Sequence, residues 1–231
     1  MKEKNQFALS VDKDRLLNKK LNFLCHFNHL THLCLRGFSQ NQVELIKDIK
    51  NLKELILLSC KINSYSFLKS MRELESLDIR FGGTKDFSEL GKLKGMKSLA
   101  LLKIINLKDV SFLAEMTNLQ YIEINSCKKI IEFPSLLNLK NLRRIVLETM
   151  KGLRDISGVS KAPFLEDLII MEAKNIDHMQ LNFFLKHKAL KRIFPGIVRL
   201  NSTKFKELSD LFSDRIIDSY YGTKIEQFNI Y

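Results

Sequence analysis

One segment near the N-terminus concentrates side chains that bind metals. Cys25, His26, His29, His32 and Cys34 lie within ten residues of one another. Thiolate sulfur and imidazole nitrogen are zinc ligands, and a structural zinc site needs four of them at tetrahedral positions. The segment leads into a strand, however, which would separate His32 and Cys34 from the three residues before them. The cluster is therefore only a weak candidate, and we expect no bound metal and no cofactor.

Other motifs that could carry chemistry are incomplete. The segment Gly82-Gly83-Thr84-Lys85 is rich in glycine but lacks the longer spacing of a phosphate-binding loop, so it indicates a turn. His178 and His187 have no serine or cysteine at a spacing typical of a nucleophile and its base. The sequence contains no nucleophile elbow, Cys-x-x-Cys pair or zinc-protease motif. We predict that the protein is not an enzyme and has no catalytic residues.

A repeat with the pattern Leu-x-x-Leu/Ile-x-Leu/Ile organises most of the chain. Its eight copies begin at Leu30, Leu52, Leu74, Leu99, Leu119, Leu142, Leu165 and Leu190. The eighth copy has Pro195 at its last apolar position. Alternating apolar positions predict a short strand with one buried face, and about 15 further residues return the chain to the next parallel strand. The spacing of 20 to 25 residues lies in the range of leucine-rich repeats.

The repeat predicts an α/β leucine-rich-repeat solenoid. In this fold class a curved parallel sheet forms the concave face, and short helices, 3-10 turns and loops form the convex face. The repeats resemble those of the bacterial internalin-like leucine-rich-repeat family over residues 30–196. Residues 62–68 and 110–113 resemble that family's Ile-x-Asp-x-x-x-Leu stretch. The sequence shows no export signal or wall anchor typical of internalins, so we expect no adhesin role.

The position after each strand departs from the family pattern. The residues we assign to it are Cys60, Leu107, Cys127, Met150 and Ala173, where the family usually has asparagine. Because none of these side chains can form an asparagine ladder, we expect small or apolar packing along this line of the solenoid.

Both ends of a solenoid need a cap, because a terminal repeat would otherwise expose its core. We assign residues 1–29 to an N-terminal cap, 30–196 to about eight repeats, and 197–231 to a C-terminal cap. The alternation in residues 7–11 predicts an edge strand, and 14–27 a helical return. Residues 41–51 also have helical spacing. At the other end, helical spacing predicts a capping helix whose apolar residues are Phe205, Leu208, Leu211, Phe212 and Ile216.

The strand positions between the buried leucines should face outward on the concave side. From them we predict a partner-binding surface that comprises Arg36, Ile56, Leu58, Arg80, Leu101, Lys103, Tyr121, Glu123, Arg144, Glu148, Asp167, Ile169, Met171, Arg192 and Phe194. Apolar side chains framed by charges are typical of a protein interface, although the strand preference of aliphatic residues would also explain them. By residue type, Tyr121, Arg144, Met171 and Phe194 are the expected hot spots.

The net charge of +12 raises the question of an acidic partner. On the predicted concave face, lysine and arginine balance aspartate and glutamate, so the excess should lie on the convex side, the edges and the caps. A nucleic-acid site on the sheet would instead concentrate lysine, arginine and aromatic residues there. Binding of nucleic acid or an anionic surface by the basic convex side remains an alternative, with Lys47, Lys50, Lys128, Lys129 and Lys188 among its candidates.

Composition indicates a folded chain, with 45% hydrophobic and 28% charged residues. No apolar run reaches the length of about 18 residues that spans a bilayer, and the polar N-terminus does not resemble a signal peptide. The absence of a signal peptide predicts a cytoplasmic location. The four cysteines are not arranged as a disulfide framework, so we expect free thiols, which fits that location. We also expect a monomer. The predicted function is a protein-interaction module; an immunity or inhibitor protein that neutralises a bacterial toxin is a sharper alternative.

Overall fold

A single parallel sheet forms the framework of the molecule. The structure, a computed structural model, describes residues 7–16, 21–27, 29–82, 84, 86–196, 202–212 and 215. Within these ranges nine strands lie side by side in chain order. They are β1 Phe7–Asp12, β2 Leu30–Arg36, β3 Glu54–Leu58, β4 Ser76–Arg80, β5 Ser98–Leu102, β6 Tyr121–Asn125, β7 Arg144–Glu148, β8 Asp167–Met171 and β9 Arg192–Gly196. The predicted leucine-rich-repeat solenoid is confirmed.

Short helices connect the strands. The described α-helices are α1, Gln40–Val43, and α2, Ser202–Phe212. The described 3-10 helices are Lys13–Arg15, Asn22–His26, Glu44–Ile46, Ser66–Ser70, Ser88–Lys92, Ser111–Glu115, Val159–Lys161 and His178–Phe184. None of the described helices is long and apolar enough to cross a bilayer.

The core lies between the sheet and these returns, and the repeated apolar residues fill it. Two inward positions of each strand align across the sheet from Leu9 and Val11 in β1 to Ile193 and Pro195 in β9. From β2 to β9 all of them are buried. The buried side chains form one continuous core across the stacked repeats. Each fully buried leucine or isoleucine in it contributes about 1.5–3 kcal/mol from the hydrophobic effect.

A left-handed residue ends each strand from β2 to β8. These residues have φ between 52° and 79° and are Gly37, Ser59, Phe81, Lys103, Ser126, Thr149 and Glu172. Each backbone N–H donates a hydrogen bond of 2.8–2.9 Å to the last carbonyl of the following strand. This ladder turns the chain out of the sheet at the same point in every repeat, and it therefore defines the register of the repeats independently of the leucines.

Small or apolar side chains pack directly after this ladder, as expected. Cys60, Ile104, Cys127, Met150 and Ala173 occupy the position and are at most 2% exposed. The fourth repeat supplies Ile104 there, and the assignment of Leu107 was wrong because that leucine comes three residues later.

Aromatic rings fill the core beneath the return segments. Tyr65, Phe87 and Phe112 lie in successive repeats, with ring centroids 5.2 Å and 6.0 Å apart. The 3-10 helices bury their second and third residues at Phe67 and Leu68, and again at Phe112 and Leu113. The returns that resembled the internalin-like stretch therefore anchor the convex side to the sheet.

The described parts of both ends match the expected elements. β1 pairs with β2 as the predicted edge strand, although the described part of the following return is 3-10 helix rather than α-helix. In α2, Leu208 and Phe212 join the core while Leu211 is 55% exposed. Ile216, the side chain of Phe205 and the rest of both caps lie outside what the structure describes. The boundaries at 29/30 and 196/197 stay predictions.

Candidate functional site

The concave face consists of the outward side chains of the nine strands, three from each of β1 to β8 and two from β9. Parallel pairing aligns them in three rows that run across the repeats. Ten of the predicted partner-binding residues lie on this face and keep solvent contact: Arg36, Ile56, Leu58, Arg80, Tyr121, Glu123, Glu148, Met171, Arg192 and Phe194. The structure thus brings them onto one surface, and their role in binding a partner stays a prediction.

The register of β5 differs from the prediction by three residues, which exchanges its inward and outward sides. Leu101 aligns with Ile79 and Ile124 and is 1% exposed, so its expected place on the concave face is wrong. Met96, 22 residues after Leu74, opens this repeat in place of Leu99. The outward residues of β5 are Ser98, Ala100 and Leu102.

The same shift removes Lys103 from the concave face. Lys103 is the left-handed residue that follows β5, and Ile105 lies two residues further along the turn, where it is 75% exposed. Both side chains lie at the edge where the strands end, beside the concave face rather than on it. Sequence reasoning missed Leu102, which lies beside Asn125 in the outermost row of the concave face.

Three predicted residues face the concave side but are almost fully covered by their neighbours. Arg144 is 4% exposed, and Asp167 and Ile169 are each 3% exposed. Arg192 covers the Asp167 carboxylate with two hydrogen bonds of 2.6 Å. Ile169 aligns between Val146 and Phe194. These three side chains support the surface from below, so the expectation that they are open to a partner is wrong.

Carboxylates outnumber cations on the concave face. The described strands place Arg36, Arg80, Arg144 and Arg192 there, against Asp12, Glu54, Asp78, Glu123, Glu148 and Asp167. With histidine neutral, the face has two more negative than positive charges, in a chain whose net charge is +12. The predicted balance of charges was therefore wrong, because it counted Lys103 and omitted Asp12.

Negative charge concentrates in the middle of the face. The Tyr121 hydroxyl donates to Glu123 at 2.7 Å, and the Asn125 amide donates to Glu148 at 2.6 Å. Burial raises the pKa of Glu148, and the nearby carboxylates of Glu123 and Glu172 raise it further. Binding sites often contain a carboxylate whose pKa is raised by burial and by neighbouring carboxylates.

Two ion pairs flank this centre within the sheet. Arg80 contacts Asp78 at 2.5 Å, and hydrogen bonding to that carboxylate raises the pKa of Arg80. Arg192 contacts Asp167, which raises the pKa of Arg192 in the same way. Aspartates of the sheet hold both guanidinium groups in place, so the two arginines are already oriented before a partner binds.

A shallow cleft lies at the N-terminal end of the concave face. It has a volume of about 410 Å³, and its lining comes from β1, β2 and β3. Ala8, Ser10, Cys34 and Ile56 form its small and apolar part, and His32 lies 3.6 Å from Glu54 at one side.

The candidate metal cluster does not converge in the described residues. His26 and His29 are exposed before β2, whereas His32 and Cys34 are outward residues of β2; the side chain of Cys25 lies outside the description. Across the described ranges, no group of three or more histidine, cysteine, aspartate or glutamate side chains is placed to hold a metal ion.

The buried cysteines are part of the core. Among the described cysteines, Cys34, Cys60 and Cys127 are free thiols. Burial raises the pKa of the Cys127 thiol to about 11 and also raises that of Cys60. A thiol with a raised pKa is a poor nucleophile at neutral pH, so Cys60 and Cys127 have a packing role.

These features define the molecule as a leucine-rich-repeat solenoid with an accessible concave sheet. No protein-family model matches the sequence, and no curated protein matches it. Solved structures share the fold. Internalin C2 of Listeria monocytogenes is 19% identical, with a TM-score of 0.59 over 80% of this chain and 79% of that one.

Two further structures extend the similarity. An internalin of the same bacterium, InlF, is 19% identical, with a TM-score of 0.58 over 93% of this chain and 67% of that one. A leucine-rich-repeat protein of Leptospira interrogans is 18% identical, with a TM-score of 0.62 over 85% of this chain and 51% of that one. This chain therefore spans about half of the Leptospira protein. At such low identity, the similarity shows the fold.

Proposed function

We propose that the protein is a non-enzymatic interaction module that binds a protein partner on its concave face. The observation that carries this proposal is the arrangement of that face: partly exposed apolar side chains lie on both sides of an acidic centre. Interfaces between proteins combine apolar anchors with charged and polar groups.

The apolar anchors form two patches. Near the N-terminus, Ile56 and Leu58 are half-buried beside the cleft of β1 to β3. Towards the C-terminus, Met171 and Phe194 are half-buried above Ile169. Because the side chains beneath them are tightly packed, these residues are held in place before a partner binds, which lowers the entropy cost of association.

The acidic centre indicates the chemistry of the partner. Glu123 and Glu148 lie between the two patches. Burial and then the repulsion from neighbouring carboxylates raise the Glu148 pKa, and a cation would relieve that repulsion. We therefore propose a partner that presents lysine or arginine to the centre and apolar side chains to the patches. If the protein is an immunity or inhibitor protein, its target surface should be basic, not acidic as the net charge of +12 alone would indicate.

The carboxylates of the face have structural partners, which supports a binding role over catalysis. Asp78 and Asp167 are paired with arginines, and Glu123 and Glu148 accept hydrogen bonds from Tyr121 and Asn125. A surface that is more negative than positive also disfavours nucleic acid as its ligand.

Affinity capture with matched variants tests the proposal. The purified protein is immobilised and exposed to an extract of the organism that encodes it, and bound proteins are quantified by mass spectrometry. The concave variant combines Met171→Ala with Phe194→Ala. The control variant combines Met179→Ala with Phe183→Ala, which are 57% and 50% exposed away from the sheet.

We expect one protein to bind the wild type and the control variant equally. Loss of the two anchors of the C-terminal patch should reduce its capture by the concave variant about tenfold or more. Equal capture by the concave and control variants, or loss with the control alone, would place the binding surface elsewhere.

A further inference from the structure

A second surface, separate from the concave face, lies along the edge where the strands end. It is a cleft of about 830 Å³ that crosses four consecutive repeats. Its lining comes from the segments that follow β4, β5, β6 and β7, and includes Phe81, Lys103, Ile105, Lys128 and Lys151. We name it the edge cleft. The volume lies in the range of about 300–1,000 Å³ that is usual for ligand pockets.

The left-handed ladder explains why these side chains meet. Phe81, Lys103, Ser126 and Thr149 have φ between 52° and 58°, so the chain leaves the sheet at the same angle in each repeat and brings equivalent side chains to one edge. Gly82 forms part of the wall. A larger residue would not fit there, because a Cβ atom would lie 2.5 Å from the Cys60 carbonyl oxygen.

Four lysines give the edge cleft a strong positive charge. Lys103, Lys128, Lys129 and Lys151 line it, and none of its described lining residues is acidic. Within the part of the chain that the structure describes, none of the four forms a salt bridge. Lys128 and Lys151 occupy equivalent positions of adjacent repeats, so their backbones are about 4.8 Å apart. An anion that bridges them would relieve their repulsion.

An apolar surface accompanies the charge. The Phe81 side chain is 48% exposed and Ile105 is 75% exposed. The Lys103 ammonium lies 5.1 Å from the centre of the Phe81 ring, while Lys129 donates to the Asn106 side chain at 3.1 Å. A ligand that fits must therefore combine negative charge with an apolar group.

We propose that the edge cleft binds an acidic, extended segment of a protein, with carboxylates on the lysines and an apolar side chain against Phe81 and Ile105. Three intervals between repeats span about 14 Å, which matches four to five residues of extended peptide at about 3.3 Å per residue. Single-stranded nucleic acid fits less well, because it stacks successive bases on several aromatic side chains, and Phe81 is the one aromatic side chain among the described residues of the lining.

Fluorescence anisotropy with defined probes tests this proposal. The first probe is a labelled octapeptide of alternating aspartate and glutamate with one central phenylalanine. The second probe has alanine in place of the phenylalanine, and the third is an oligonucleotide of eight thymidines. The cleft variant is Lys128→Gln with Lys151→Gln. The control variant, Lys47→Gln with Lys188→Gln, removes the same charge from exposed residues outside the edge cleft.

At about 0.15 M salt, we expect the cleft variant to bind the phenylalanine peptide about tenfold or more weakly than the wild type. The control variant should lose less than about twofold, because distant exposed charges are screened. Equal losses in the two variants, or no binding of the peptide by the wild type, would overturn the proposal. Tighter binding of the oligonucleotide than of the peptide, lost in the cleft variant, would also overturn it in favour of nucleic acid.

Phe81→Asn tests the apolar contact without straining the backbone, since asparagine tolerates a left-handed conformation. This variant should weaken binding of the phenylalanine peptide about threefold or more and leave the alanine peptide unchanged. Equal effects on both peptides would contradict the role assigned to Phe81. The concave variant, Met171→Ala with Phe194→Ala, should bind these probes normally, so failure of the edge cleft and failure of the concave face are distinguishable.

Discussion

Replacement of Leu101 or of Leu102 by alanine should have very different effects on stability. Leu101 is 1% exposed and aligns with the core residues Ile79 and Ile124. Leu102 is half-buried and aligns with Arg80 on the concave face. The pattern Leu-x-x-Leu-x-Ile that begins at Leu99 would reverse these two environments, so the pair of variants tests the register of β5 directly.

The magnitudes follow from burial. A fully buried leucine replaced by alanine usually costs about 2–5 kcal/mol, because a cavity remains in the core. For the half-buried Leu102, loss of part of the transfer free energy should cost roughly 1 kcal/mol. For a chain of this size each kcal/mol lowers Tm by about 2–4 °C. We therefore expect Tm to fall by about 4–20 °C for Leu101→Ala, and by about 2–4 °C for Leu102→Ala.

Urea unfolding followed by far-UV circular dichroism measures both variants under the same conditions. The free energy of unfolding should decrease more for Leu101→Ala, with an unchanged dependence on urea concentration. A larger loss for Leu102→Ala would refute the register and would return Leu101 to the concave face.

Three further predictions follow from burial and charge. Leu77→Asp should abolish the cooperative thermal transition measured by circular dichroism, because it places a carboxylate at a position that is 0% exposed; a normal transition would contradict the inward orientation of the repeated leucines. Glu148→Gln should raise Tm at pH 7 by less than about 4 °C, since it removes a repelled carboxylate and keeps an acceptor for Asn125. The Glu148 pKa is raised in the folded state, so its penalty grows as pH rises above the ordinary carboxyl pKa, and the advantage of the variant should vanish at lower pH. In a Cys25→Ser variant, the buried Cys127 thiol, with a pKa of about 11, should react with a thiol reagent only after the protein unfolds. Cys34 should react in the native protein. Fast modification of both cysteines in the native protein would contradict the packing.

The solenoid was predictable because the same physical requirement recurs in every repeat. A strand with one buried face needs apolar residues at alternate positions, and the series from Leu30 to Ile193 satisfies this in each turn. Repetition turns a weak local pattern into a strong one, so the topology follows from the sequence.

The register of β5 was not predictable from the leucines alone. Leu99, Leu101, Leu102 and Ile104 allow two alignments of the repeat, three residues apart. The signal that distinguishes them is Met96, which gives a regular spacing of 22 residues after Leu74 and 23 before Leu119. A search limited to leucine at the first position overlooks it, because methionine fills the same space in the core.

The surfaces depend on contacts between repeats, which no single repeat specifies. Arg144 and Asp167 occupy outward positions, yet neighbouring strands cover them. The edge cleft depends on left-handed residues that include Lys103 and Thr149. Sequence reasoning expects glycine or asparagine in that conformation, so the turn that creates the edge cleft has no simple signature in the sequence.

Hydroxyl-radical footprinting of the complex with the captured partner tests the central claim most directly. Met171 lies on the concave face, and Met179 lies in the return segment with 57% exposure, so the two methionines form a matched pair of the same chemistry. If the partner binds the concave face, it protects Met171 and Tyr121 from oxidation and leaves Met179 unchanged. Protection of Met179 with full oxidation of Met171 would contradict binding on that face.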